Sequence, residues 1–182
     1  MNKFFASVFA GILLTTASVG GAYAYAPTNI VTPESVGSAG PLSFQMFCAI
    51  NPTECQAGGA SKISLTQDAL ATLEQVNARV NRAIRPRLDS AAFQVWQINP
   101  RSGDCKSYAI SKRHELIEAG FPPSALRIAY VKTRAGEGHA VLVVKTTYGD
   151  LTLDNLKSDI VNFRQSGYRV VAISGANPSR WS

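Results

Sequence analysis

The chain has 182 residues, of which 46% are hydrophobic and 16% charged, with 18 Lys and Arg against 12 Asp and Glu and a formal net charge of +6. That length fits one domain with a sizeable core. The positive balance does not make it a nucleic-acid binder. Arg79, Arg82, Arg85 and Arg87 cluster around the end of a predicted helix, where cations complement the helix dipole, and neither interleaved aromatics nor a known reading motif accompanies them. The charge fits attraction to acidic surfaces or polymers.

Residues 1–24, MNKFFASVFAGILLTTASVGGAYA, carry one early lysine, an apolar run from Phe4 to Leu14, and small residues ending in Ala22-Tyr23-Ala24. This layout predicts a secretory signal peptide with an A-x-A cleavage site. An uncleaved anchor is the alternative, but the apolar run falls short of the ~20 residues that span a bilayer. No cysteine follows the cleavage site, which argues against a lipoprotein. The expected location is therefore periplasmic or secreted, an oxidising compartment. Residues 25–41, rich in Pro, Ser, Gly and Thr, read as a flexible lead-in, and 42–182 as the folded domain.

Cys48 and Cys55 lie seven apart in FCAINPTECQ, a loop short enough for a disulfide to close. That pairing leaves Cys105 over. An odd cysteine in a secreted chain is an intermolecular bridge, a buried inert thiol or a reactive nucleophile. Next in order, Ser64-Leu-Thr-Gln67 offers a capping box. Leu70, Leu73, Val76, Val80 and Ile84 follow at helical spacing until Pro86, so this helix is expected to pack on the core.

Asp104 is placed to cap a helix that begins at Cys105 and runs to a Gly120 stop, with Pro122 and Pro123 beyond. The thiol then stands in the first helical turn, where unpaired N–H groups and the dipole favour a thiolate. Lys106 adds a cation and Asp104 opposes it. Such a nucleophile needs a base. His114, nine residues on in the same helix, faces the opposite side at ~100° per residue and reads as a surface residue. His139 opens the strand-like run HAVLVVK, which follows another, LRIAYVK.

A third group should orient the imidazole. TTYG and then DLTLDN suggest a hairpin with Gly149 at the end of its loop. Pairing Lys145 with Asp150 sets Val141 opposite Asp154, and the period of two puts Asp154 on the face of His139 as its diagonal neighbour. Asp159 is a weaker rival. For the oxyanion, the Cys105 N–H is one expected donor. Trp96 and Gln97 are the side chains suggested for a second, although Phe93 and Trp96 also suit a core or cleft wall.

The order Cys, His, Asp, together with FCAINPTEC, GDCKSYAISKRHEL, GFPPSALRIAYV, GHAVLVVKT and LDNL, resembles the bacterial transglutaminase-like cysteine peptidases from about Pro41 to Trp181. The resemblance implies an α+β fold with a papain- or transglutaminase-like core, the nucleophile at a helix N-terminus packed on an antiparallel sheet. It implies the triad Cys105, His139 and Asp154 and a disulfide between Cys48 and Cys55. It further implies a thioester-forming peptidase acting on a protein or peptide substrate. The same triad also serves an acyltransferase, and a papain-like cleft without catalysis serves a binding module. LapG-type members of the family are periplasmic, depend on calcium and answer to an inner-membrane receptor, and they carry acidic residues directly after the cysteine. This chain has Lys106 and Ser107 there. Calcium prefers several carboxylate oxygens, so no cofactor is expected, Asp104 being at most the remnant of a calcium site. The expected assembly is a monomer.

Overall fold

The computed structural model describes residues 38–89 and 94–182. The expected signal peptide at 1–24, the lead-in as far as residue 37, and Phe93 lie outside the described residues. Among the described residues no helix is long and apolar enough to cross a membrane.

The first helix among the described residues, α1 (Leu42–Ile50), buries Phe44 and Phe47. A short turn, Pro52–Cys55, follows, and a disulfide joins Cys48 to Cys55. The helix α2 (Gln67–Ala83) buries Leu73, Val76, Asn77 and Val80, close to the face expected from the apolar spacing. Its cap is Thr66, whose side chain accepts from Ala69 N–H at 3.1 Å, and not Ser64. The reason lies upstream. Ile63 is held in a backbone bridge, its N–H donating to Lys145 O and its carbonyl accepting from Thr147 N–H. The chain therefore stays extended past Ser64, and the helix starts later.

Two short parallel strands, β1 (Arg85–Pro86) and β2 (Ser102–Gly103), pair Pro86 with Gly103. They bring the end of α2 beside the start of α3 (Cys105–Glu118). Five further strands, β3 (Leu126–Lys132), β4 (Gly138–Val144), β5 (Leu151–Leu153), β6 (Val161–Asn162) and β7 (Arg169–Ile173), form one sheet in the order β6-β5-β4-β3-β7 with every neighbour antiparallel. Mixed helices and an antiparallel sheet make this the α+β class expected. Alternation along the strands sorts the two faces. Leu126, Ile128, Leu142, Val144 and Leu153 join the main core with Tyr108, Ala109, Ile110 and Leu116 of α3. Ala129, Val131, Val141 and Val143 form a smaller cluster covered by Phe163, Tyr168 and Ile173.

Both ends of the domain close on aromatic contacts. Ser38 bridges to Trp181, whose indole is buried 5.2 Å from Phe44 and 5.7 Å from Tyr130. Trp96 meets Phe44 at 5.0 Å and Tyr130 at 5.8 Å, edge to face, an arrangement that aromatic quadrupoles favour. The closing segment is thus a last strand with Trp181 packed on the core. The disulfide turn docks on α3 through Glu54, which accepts from the buried Arg113 and lies 2.6 Å from His114 Nδ1. His114 does face away from Cys105, but it is half-buried in this ion cluster and not a free surface residue.

Candidate active site

Gly103 and Asp104 set the start of α3. Gly103 is buried against the first turn, and a Cβ there would stand 2.7 Å from both Cβ and Oγ of Ser107. Only glycine allows that approach. Asp104 caps the helix, its Oδ1 accepting from Lys106 N–H at 3.0 Å. Cys105 is a free, half-buried thiol at the first helical position. Its own N–H is one of those a helix start leaves without an intrahelical partner.

His139 is buried near the start of β4, and its Nε2 donates to Asp154 Oδ1 at 2.8 Å. Cys105 is near enough to the ring to raise its basicity, and Nδ1 is the nitrogen that the bond to Asp154 leaves over. The pairing of Leu142 with Leu153 and Val144 with Leu151 sets Val141 opposite Asp154, and Lys145 reaches Asp150 at 2.5 Å. This is the hairpin register read from the sequence. Asp159 is exposed and accepts from Ser158, so it does not orient the histidine.

The surroundings of Asp154 hold it charged. Burial raises its pKa, but hydrogen bonds from His139, Tyr168 and the Leu156 N–H outweigh this and bring it to about 2. Burial likewise lowers His139, and its bonds to Asp154 and Cys105 overcome that, raising it to about 9. An imidazolium is therefore the favoured state at neutral pH. Two asparagines of α2 fix the loop that carries the carboxylate, Asn81 donating to Asp154 O at 2.8 Å and Asn77 to Ser158 O at 2.9 Å.

Sequence reasoning missed several neighbours. Tyr168 donates to Asp154 Oδ2 and stands 5.6 Å from the His139 ring, while Lys157 Nζ lies over the Tyr168 ring, 5.0 Å from its centroid. No spacing rule connects position 168 to 154. Lys112 is completely buried with no hydrogen-bond partner for its Nζ. Burial lowers its pKa to about 7 against the opposing pull of Asp154. It follows Cys105 by two helical turns, a spacing that would have placed it on the same face of α3. Tyr130 has its pKa raised by burial first and then by the nearby Cys105 and Asp104, so its hydroxyl keeps its proton.

Cys105, His139, Asp104 and Tyr130 line an open cleft of about 540 Å³ with Leu88, Asp89, Gln94, Glu137, Asn155 and Leu156. Trp96 is not among the lining residues. Its indole N–H donates to Ser43 Oγ at 3.2 Å inside the aromatic cluster, and Gln97 is exposed elsewhere. Gln94, three residues earlier than the suggested Gln97, lines the cleft, as does the amide of Asn155. A flatter depression on α2, bounded by Glu74, Gln75, Ala78, Arg79 and Arg82, contains no nucleophile. Among the described residues no three His, Cys, Asp or Glu side chains converge as a metal site.

A thiol at a helix start and an imidazole on one cleft, with a buried carboxylate behind the imidazole, can ionise the thiol and return its proton to a leaving group. Comparison with known proteins meets this geometry. The family model described as bacterial transglutaminase-like cysteine proteinase, BTLCP, matches residues 35–182. Calcium-bound LapG of Legionella pneumophila is 28% identical, over 59% of this chain and 65% of that one, with a TM-score of 0.53. The EGTA-treated form of the same protein is 27% identical over 57% and 62%, with a TM-score of 0.52. The chain thus spans slightly less than two thirds of the LapG length it matches. No curated protein matches.

Proposed function

Because the chain belongs to the bacterial transglutaminase-like cysteine proteinases, we propose that it is a peptidase whose nucleophile is Cys105, whose acid–base group is His139 and whose orienting carboxylate is Asp154. The observation that carries this reading is the 2.8 Å bond between His139 Nε2 and Asp154 Oδ1, with the free thiol of Cys105 on the same cleft as the imidazole. The raised basicity of the imidazole lets it take the thiol proton at neutral pH.

In this mechanism the Cys105 sulfur attacks the carbonyl carbon of a peptide bond lying across the cleft. The oxyanion that forms is met by the Cys105 N–H, aligned with the positive end of α3. Gln94 and Tyr130, both on the cleft wall, have side chains able to give a second hydrogen bond. As the C–N bond breaks, the His139 imidazolium gives its proton to the departing amine. A thioester to Cys105 remains. Neutral His139 then draws a proton from water, whose oxygen attacks the thioester, and collapse of the second tetrahedral intermediate releases the acid and restores the thiolate. Asp154 stays ionised throughout and steadies the imidazolium.

The substrate is a polypeptide in extended form, which suits an open cleft with exposed Leu88 and Leu156 on its rim. A periplasmic or secreted home is supported by the N-terminal sequence and by the disulfide between Cys48 and Cys55. A single-domain monomer is the working form.

LapG of L. pneumophila has been seen calcium-bound, and this chain does not fit a calcium ion next to its nucleophile. The Asp104 carboxylate is taken up by Lys106 Nζ, and Lys106 and Ser107 offer no carboxylate of their own. The reaction proposed has no calcium step. The test is incubation of the mature protein with a complex peptide mixture, with new termini read by mass spectrometry, beside Cys105→Ala. New termini absent from the variant support a peptidase. Capture of an added primary amine at the new acyl ends would make it an acyltransferase, and no turnover at all would leave a binding module.

A further inference from the structure

Lys106 directly follows the nucleophile, yet its side chain is only 3% exposed. Its ammonium contacts Asp104 Oδ2 and lies 3.4 Å from Asp89 Oδ2. Asp104 is the N-cap of α3, and Asp89 lies on a different stretch of cleft wall, where its Oδ2 also accepts from Val95 N–H at 3.0 Å. One cation therefore joins carboxylates from two separate segments, and all three residues line the cleft with Cys105.

Without the ammonium, two poorly solvated carboxylates would face each other beside the thiol. They would repel, loosening the cap from the wall, and their field would oppose a thiolate. Carboxylates converging in this way are the usual donors for a hard divalent cation. Here the counter-ion belongs to the chain. An exposed lysine paired with one aspartate would carry no such weight, but a buried ammonium with two partners cannot be removed without leaving charge uncompensated.

We propose that Lys106 is a built-in counter-ion, a positioning residue that locks the helix cap Asp104 to the cleft wall at Asp89 and keeps Cys105 reactive without a bound metal. The proposal rests on the reading of Cys105 as nucleophile. It also gives the pairing a direction: the cluster should resist calcium while Lys106 is present and accept it once a carboxylate replaces the ammonium.

The experiment measures the rate of Cys105 alkylation by iodoacetamide against pH, with calcium chloride or with EGTA, in wild type, Lys106→Arg, Lys106→Met and Lys106→Asp, alongside thermal melting. Wild type and Lys106→Arg are expected to label alike and to ignore both additions. Lys106→Met should label about ten-fold more slowly at neutral pH. In Lys106→Asp, calcium should raise both the melting temperature and the labelling rate. Labelling of Lys106→Met at the wild-type rate, or a wild-type rate that calcium accelerates, overturns the proposal. If the Met and Asp variants do not fold, Asp89→Ala decides: the cap loses its tie to the wall while Lys106 still balances Asp104, so labelling should slow about two-fold or more and the melting temperature should fall, and an unchanged rate and melting temperature overturn the proposal. A wild type slow at every pH overturns the nucleophile reading and this inference with it, whereas a fast wild type with an indifferent Lys106→Met overturns this inference alone.

Discussion

His139 Nε2 lies 2.8 Å from Asp154 Oδ1 because the β4–β5 hairpin sets Asp154 opposite Val141, two residues along from the histidine on one face. The carboxylate has two roles in this arrangement, holding the ring's tautomer and balancing its charge. Asp154→Asn keeps the size and loses the charge. Its kcat/KM for peptide hydrolysis is expected to fall about 10²- to 10⁴-fold. A variant within two-fold of wild type, about 0.4 kcal/mol, would remove Asp154 from the mechanism.

The proton that His139 gives to the leaving amine sets an alkaline limit. Since its pKa is raised to about 9, the pH profile of kcat/KM should hold through neutrality and descend with a midpoint near that value. Tyr168→Phe, which removes one donor from Asp154, strengthens the remaining carboxylate as a partner for the imidazolium, and its descending limb should not move to lower pH. A limb centred near the ordinary histidine value of 6.5 would mean that the pair with Asp154 does not govern the reaction.

Lys112 and His139 pull stability in opposite directions with pH. Lys112 is depressed from 10.5 to about 7, so the folded state bears an unfavourable buried charge at low pH that is relieved as pH rises from about 7 toward 10.5. His139 is raised from 6.5 to about 9, so its stabilisation is complete below 6.5 and is lost as pH rises through 9. Between these limits the two slopes oppose each other. Urea denaturation of wild type from pH 7 to about 9 should show little change in midpoint, whereas Lys112→Met should show a midpoint that declines. An equally flat profile in the variant would show that the buried ammonium is not what offsets the histidine.

Gly103→Ala tests the start of the nucleophile helix. The added methyl would meet Ser107 Cβ at 2.7 Å, and neither backbone can retreat without shifting Cys105 or the β1–β2 pair. The expected cost is about 1–3 kcal/mol in denaturation, with slower alkylation of Cys105. An unaltered midpoint and rate would mean that the helix start has more room than the structure gives it.

Much of this site was legible in the sequence because its determinants are local. Asp104 before Cys105 and Gly120 after the apolar run mark both ends of α3, and the φ of +88° at Gly120 is the backbone state that glycine favours. The hairpin register followed from Lys145, Asp150 and Gly149 within six residues. Other features depend on segments that meet only in the fold. The capping box read at Ser64 gives way to a cap at Thr66, because Ile63 is held by Lys145 and Thr147, which nothing nearby in the sequence shows. Tyr168 and Asp89 reach the site from distant strands and loops. Its place after Cys105 makes Lys106 look like a cation for the thiolate, yet its charge turns to Asp104 and Asp89. In sequence Trp96 suits both an oxyanion donor and the core, and its contacts with Phe44 and Tyr130 put it in the core.

The most direct measurement is the pH dependence of iodoacetamide alkylation of Cys105 in the mature protein beside His139→Ala. Wild type should label rapidly well below the ordinary thiol value of about 8.5, with the acid-side reactivity abolished in the variant, because the imidazolium supports the thiolate. Slow labelling at every pH, or the same profile in both proteins, would contradict a Cys105–His139 pair and with it the peptidase reading.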